Sequence, residues 1–93
     1  MFNKVLSRMR EKVQSRQYVM TYHARQEMKD DHFSLFDVER GILTGEILER
    51  QKDSETNEWK YRIQGLAFSG DEIELVAKIS ATNKLVIITV YAP

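Results

Sequence analysis

Residues 72–91 read EIELVAKISATNKLVIITVY, and the fold turns on how this stretch pairs with itself. Two runs rich in β-branched and aliphatic residues flank a polar interval of turn-forming residues. Strands are expected over Glu72–Ser80 and Leu85–Tyr91. A two-residue loop at Thr82-Asn83 sets Ile79 opposite Val86, Ala77 opposite Ile88 and Leu75 opposite Val90. All of these are apolar, so that face should meet helices. The other face carries Glu74, Val76, Lys78, Ile87, Thr89 and Tyr91. Such a mixed polar and aromatic surface is either plain solvent face or the floor of a cleft.

Working backward, Trp59–Phe68 is a second β-favouring run and Ser69-Gly70 a turn signal. A two-residue loop there would turn Arg62 and Gln64 into the core, which is costly for an unpaired guanidinium. A three-residue loop through Asp71 sends both to the face of Glu74, Lys78 and Tyr91, and is preferred. Glu46–Gln51 is a further strand, joined to Trp59 by the polar loop 52–58.

Upstream the period becomes helical. Phe2, Val5, Leu6, Met9 and Val13 form one stripe, with Lys4, Arg8, Glu11, Lys12 and Arg16 opposite. Tyr18–Met20 reads as a short extended piece. Thr21 is placed to cap a helix from Tyr22 to about Asp30. Ser34, with Asp37 three residues on, resembles a capping box for a third helix with buried Leu35, Val38 and Ile42. Gly45 is a natural stop. The expectation is an α+β domain in which about three N-terminal helices cover one face of a four-stranded antiparallel sheet. Residues 1–93 form one domain: an amphipathic helix over 1–17, then a body over 18–93.

The bulk numbers agree. At 93 residues the chain is the size of one domain, with 42% hydrophobic and 30% charged residues. It has no cysteine, hence no disulfide or thiolate nucleophile, and two histidines, too few to suggest a metal site. No apolar run is long enough to span a membrane and no signal peptide is evident, so a cytoplasmic location is expected. The formal net charge is zero but uneven: +5 over residues 1–29, −6 over 30–58 and +1 over 59–93. This is not the strongly basic profile of a protein gripping many phosphates.

No self-sufficient catalytic motif is present. The candidate chemistry is assembled from separate elements. His23 and Glu27 are four apart on one helical face, so the carboxylate could orient the imidazole for acid–base work. The ordinary alternative is a histidine packed at a helix start. Lys78 and Arg62 on the polar sheet face would bind phosphate and stabilise a strained phosphoryl group. Tyr91 offers a proton or a stacking ring, and Thr89 a smaller donor. Arg25 and Gln64 are candidate substrate contacts. The ordinary alternative here is a solvent-facing sheet with alternating polar residues.

Met20-Thr21-Tyr22-His23-Ala24-Arg25 with Met28, Phe33-Ser34, Asp37-Val38 and Gly45-Glu46-Ile47-Leu48 together resemble a family pattern. Tyr61-Arg62-Ile63, Gly65, Gly70 and the ending Val86-Ile87-Ile88-Thr89-Val90-Tyr91 with Pro93 continue it. The family is the domain of unknown function 4258, and the resemblance spans about residues 18–93. The family looks like a branch of the RelE/MqsR-type toxins, with a RelE/barnase-like architecture. The resemblance implies a metal-independent, mRNA-cleaving endoribonuclease toxin of a type II toxin–antitoxin system, needing no cofactor. Its partner would be a cognate antitoxin, often of the MqsA zinc-ribbon type. His23, Thr89 and Tyr91 carry over from the family pattern, whereas Lys78 and Arg62 rest on strand alternation. The chain departs from the pattern at Glu27 and Asp31, where arginine is common, and at Glu74, where histidine is common. Those exchanges remove positive charge, and they motivate the alternative of a catalytically inactive protein-binding module with the same fold.

Overall fold

A computed structural model describes residues 2–93. The helical stripe at the N-terminus forms α1 (Asn3–Gln14), which buries Leu6, Met9 and Val13. The extended piece is β1 (Tyr18–Met20). Thr21 caps α2 (Tyr22–Asp30), its hydroxyl accepting the Ala24 N–H at 3.1 Å. Ser34 and Asp37 close a full capping box at the start of α3 (Leu35–Thr44). Then follow β2 (Glu46–Lys52), β3 (Trp59–Leu66), β4 (Glu72–Ile79) and β5 (Leu85–Tyr91).

The sheet is not the four-stranded antiparallel one expected. It has five strands in the order β1-β5-β4-β3-β2, and β1 runs parallel to β5. Three residues are too few to show a period, and the partner of β1 lies at the far end of the chain. A parallel pairing needs a long crossover, which α2, α3 and the antiparallel strands supply here.

The terminal hairpin also differs in register. Leu75 pairs with Val90 as expected, but Ile79 pairs with Leu85 and Ala77 with Ile87. The loop is longer than two residues. Asn83 N–H closes a turn onto the Ser80 carbonyl, and Asn83 itself sits at φ 64°. Asparagine tolerates that left-handed conformation. The register then slips back at a β-bulge between Val76 and Ala77, where Ile88 is the extra residue. Ile87 is consequently core, fully buried beside Ala77 and Leu85. The preceding hairpin turns through Gly70 at φ 90° and keeps Arg62 and Gln64 on the face expected, opposite Val76 and Glu74.

One face of the sheet holds the core. Ile63, Ile73, Leu75, Ala77, Leu85, Ile87 and Val90 pack with Met9, Val13, Ala24, Val38 and Ile42 of the helices. Helix α3 lies close on β3 and β4, with Gly41 against Ile73 and Leu75. Arg10 reaches from α1 to the Gly45 carbonyl at 2.8 Å, satisfying an orphan acceptor at the C-terminal end of α3.

Helix α2 does something different: it seals an edge. Beyond Ile87 the strand β1 has ended and β5 would expose its backbone. Thr21 takes over, donating its N–H to the Ile87 carbonyl and its hydroxyl to the Ile88 carbonyl. Glu27 then accepts the Val90 N–H at 3.1 Å and Asp31 the Ala92 N–H at 2.9 Å. These carboxylates, one helical turn apart, stand in for a missing strand. Thr21 joins helix cap and sheet edge, so Thr21→Ala should destabilise the fold by about 1–2 kcal/mol, read from urea unfolding. A change within error would show that neither bond matters.

Candidate active site

The face opposite the core carries Arg62 and Gln64 of β3, Glu74, Val76 and Lys78 of β4, and Thr89 and Tyr91 of β5. Five of the residues singled out in the sequence, Arg62, Gln64, Lys78, Thr89 and Tyr91, lie on that face. No side chain of a helix is hydrogen-bonded or ion-paired to that face among the described residues.

At its centre lies a chain of polar contacts crossing four strands. Glu49 of β2 accepts from Arg62 Nε at 3.0 Å. Arg62 Nη1 donates to Glu74 Oε1 at 2.7 Å, and the Tyr91 hydroxyl donates to the same oxygen at 2.8 Å. Glu74 is only 7% exposed, the one polar residue buried among the described residues. The outer members are more open, with the Glu49 side chain 45% exposed.

Each protonation state follows from these contacts. Burial pushes the Glu74 carboxyl up. The hydrogen bonds from Arg62 and Tyr91 and the guanidinium charge outweigh it, so Glu74 lies below its ordinary value. Arg62 is raised by its bonds to Glu74 and Glu49. Tyr91 is raised by burial first, then by donating to the Glu74 carboxylate and by that charge. At neutral pH Glu74 is therefore a carboxylate, Arg62 a guanidinium and Tyr91 a protonated phenol.

Both glutamates were missed as site residues from sequence: Glu74 lay on the expected face opposite Tyr91 without being given a role, and Glu49 was hidden by a β-bulge. Between Ile47 and Glu49 the register of β2 on β3 shifts, bringing Glu49 opposite Arg62 where regular pairing would put Leu48. The bulge at Ile88 brings Tyr91 opposite Glu74 where regular pairing from the Ile79–Leu85 pair would put Val90. Two local insertions thus assemble the cluster. The signal that remained readable was Glu74 itself, an acid set between Ile73 and Leu75.

Three candidates lie outside this cluster. Lys78 pairs with Glu58 at 3.0 Å, and on β4 it is four residues from Glu74, a strand rise of about 13 Å. His23 Nε2 pairs with Glu27 at 3.1 Å on α2, with a side chain 68% exposed. Arg25 lines a recess with Arg16, Tyr18 and Leu35. The structure therefore does not bring His23, Lys78 and Tyr91 into contact. No group of three or more histidine, cysteine, aspartate or glutamate side chains is arranged to hold a metal among the described residues. Among the described residues no helix is long and apolar enough to cross a membrane.

A second tyrosine titrates abnormally on the helix side. Tyr18 donates to Glu39, and burial, then that bond and the Glu39 charge, push it up to about 12. A raised phenol stabilises the fold fully below its ordinary value of 10.0, and that contribution is lost as pH rises through about 12. The phenolate absorbance of the protein minus that of Tyr18→Phe should show one titration near 12. A midpoint at the ordinary value would show the bond to be absent.

This sheet, sealed at β5 by a helix and bearing a carboxylate–guanidinium–phenol cluster, defines a small α+β domain with one polar sheet face. Its residues 20–92 match the family model of DUF4258, a domain of unknown function. The chain belongs to that family. Neither the curated proteins nor the solved structures compared with it yield a match.

Proposed function

We propose that this protein is a metal-independent endoribonuclease of the toxin kind, acting through Glu49, Arg62, Glu74 and Tyr91. The observation that carries the reading is the contact chain Glu49–Arg62–Glu74–Tyr91 on the open sheet face, with contacts of 3.0, 2.7 and 2.8 Å. Cleavage of RNA without a metal needs a base, a cation and an acid. Glu49, the most open carboxylate, takes the 2′-hydroxyl proton. The freed oxygen bonds to phosphorus while the bond from phosphorus to the 5′-oxygen breaks. Arg62 holds the phosphoryl oxygens as charge builds on them, and Tyr91 gives its proton to the leaving 5′-oxygen. The Tyr91 phenol holds its proton at neutral pH, the form that can donate it. Glu74 is a positioning residue that fixes both Arg62 and Tyr91. The family resemblance supports the toxin part of the reading and a cognate antitoxin as partner.

The test uses chelator-treated protein and single-stranded RNA. Products should carry 2′,3′-cyclic phosphate and 5′-hydroxyl ends, and a 2′-deoxy substitution at the cut nucleotide should block the cut. Glu49→Gln and Tyr91→Phe should each lower the rate by about 100-fold or more, while His23→Ala leaves it largely intact. Folded protein that cleaves no RNA would remove the reading. The pairing of both Arg62 and Lys78 with the protein's own carboxylates would then favour the alternative, a catalytically inactive protein-binding module.

A further inference from the structure

The two edges of the sheet are built differently. Strand β2 is long, bulged and carries charges of both signs, the features that discourage strand addition. Strand β1 is short, unbulged and flanked by one sign of charge. Gln17 C=O and Thr21 N–H are bonded to β5, through Leu85 N–H and the Ile87 carbonyl. In a parallel ladder alternate residues face the partner, so Val19 also faces β5 while the N–H and C=O groups of Tyr18 and Met20 face away. No hydrogen bond takes up those outward groups among the described residues.

Two recesses run along this open edge and share Arg16, Tyr18 and Val19. One, of about 400 Å³, is lined by Lys12, Arg16 and Lys84. The other, of about 260 Å³, is lined by Arg16, Arg25 and Leu35. Neither contains an acidic side chain in its lining. Among these cations only Arg16 has a carboxylate partner, Glu39 at 3.8 Å. Val19 and Leu35 are 45% and 40% exposed, one on each side of the edge.

We infer that β1 is a docking edge for an extended acidic segment of a partner protein, which adds to the sheet as a sixth strand. Backbone bonds to Tyr18 and Met20 would hold the added strand in place. Its alternate apolar side chains would lie over Val19 and over Leu35, and its acids would meet Lys12, Arg16, Arg25 and Lys84. Backbone pairing supplies affinity in this mode, and side-chain pockets and charge supply selectivity. The exposed aliphatic residues and open peptide groups favour a strand over a nucleic acid, since the tyrosine here is tied to Glu39 and offers no free stacking ring.

The edge pairs with Leu85–Ile87, four to six residues along β5 from Tyr91 and so about 13–20 Å away, and this inference stands or falls apart from the cleavage reading. The experiment is a titration of the full ¹⁵N-labelled chain with the peptide acetyl-SEVDIEVES-amide. Saturable amide shifts at Tyr18, Val19 and Met20 are expected, with slowed hydrogen exchange at Tyr18 and Met20. Lys12→Glu/Lys84→Glu should weaken binding about tenfold or more, and added salt should weaken it too. On the unmutated chain the lysine analogue acetyl-SKVKIKVKS-amide should not bind, which keeps the test independent of variant folding. Absence of shifts at β1, or equal binding of both peptides, would overturn the proposal. Shifts at Lys12, Arg16 and Lys84 produced by oligouridylate but not by the acidic peptide would overturn it in favour of a polyanion site.

Discussion

Gly65→Ala should unfold the protein or leave it only partly folded at room temperature. A Cβ built on Gly65 falls 2.0 Å from the carbonyl oxygen of Gly41 and 2.8 Å from its carbon. Both are backbone atoms of α3, so no rotamer change relieves the overlap. Either the helix lifts from β3 or the strand bends, and each opens the core around Ile63, Ile73 and Leu75. The cost should be about 4 kcal/mol or more, a large part of a small domain's stability, which is on the order of 5–15 kcal/mol. Two other glycines provide the controls. At Gly41 the added carbon meets buried side-chain atoms rather than backbone, Ile73 Cγ2 at 2.7 Å and Leu75 Cδ1 at 3.2 Å. Overpacking of about 1–3 kcal/mol is partly offset there by the better helix propensity of alanine, about 1 kcal/mol. Gly70→Ala meets nothing within 4 Å and costs only its positive φ, about 1–2 kcal/mol. Thermal or urea unfolding followed by circular dichroism should place Gly65→Ala far below the other two variants. A cooperative Gly65→Ala transition close to that of the parent would mean the helix does not sit this near the strand.

The same helix–strand contact shows how much of the fold could be read from the sequence. The helix caps at Thr21 and Ser34 and the stripe of Leu6, Met9 and Val13 were legible because they are local: each depends on residues within two helical turns. The faces of β3 and β4 were legible because an unpaired Arg62 could not be buried. Hidden were the events that depend on distant partners. Three residues of β1 gain strand character only by meeting Leu85–Ile87. The role of Glu27 was hidden for the same reason. Beside His23 it read as half of an acid–base pair, whereas it also accepts the Val90 N–H. The departures at Glu27 and Asp31, which read as lost basic positions, are here the groups that close the free edge of β5.

The bulges are the other hidden element, and they decide the site. Alternation assigns a side to each residue only while the register is regular. With regular pairing Leu48 would stand opposite Arg62, and Val90 opposite Glu74. The guanidinium and the Glu74 carboxylate would then keep only each other. One inserted residue on each flanking strand converts that pair into a chain of four charged or polar groups, for which the core packing alone has no need.

Arg62→Leu should therefore reverse the pH dependence of stability as well as remove RNA cleavage. In the parent, Glu74 sits below its ordinary value of 4.5 because Arg62 and Tyr91 outweigh its burial. An acid held low stabilises the fold fully above that ordinary value, and the contribution is lost as pH falls through the lower folded one. The parent should weaken in acid on this account. In Arg62→Leu the burial of Glu74 is opposed only by the Tyr91 hydroxyl, and Glu49 adds like charge nearby. Glu74 then rises above its ordinary value. A group raised in the fold stabilises it most below the unfolded value and loses that contribution as pH climbs. At pH 7 the variant should melt lower by on the order of 10 °C, since a nearly buried carboxylate has lost its counter-charge. Between about pH 7 and 5 its Tm should climb while the parent's does not. Arg62→Leu/Glu74→Gln should flatten the profile and recover most of the loss, because no charge is left to strand. A single variant whose Tm tracks the parent across this range would mean that Arg62 is a solvent-screened surface ion, and that the chain from Glu49 to Tyr91 has no electrostatic coupling with which to act on a phosphate.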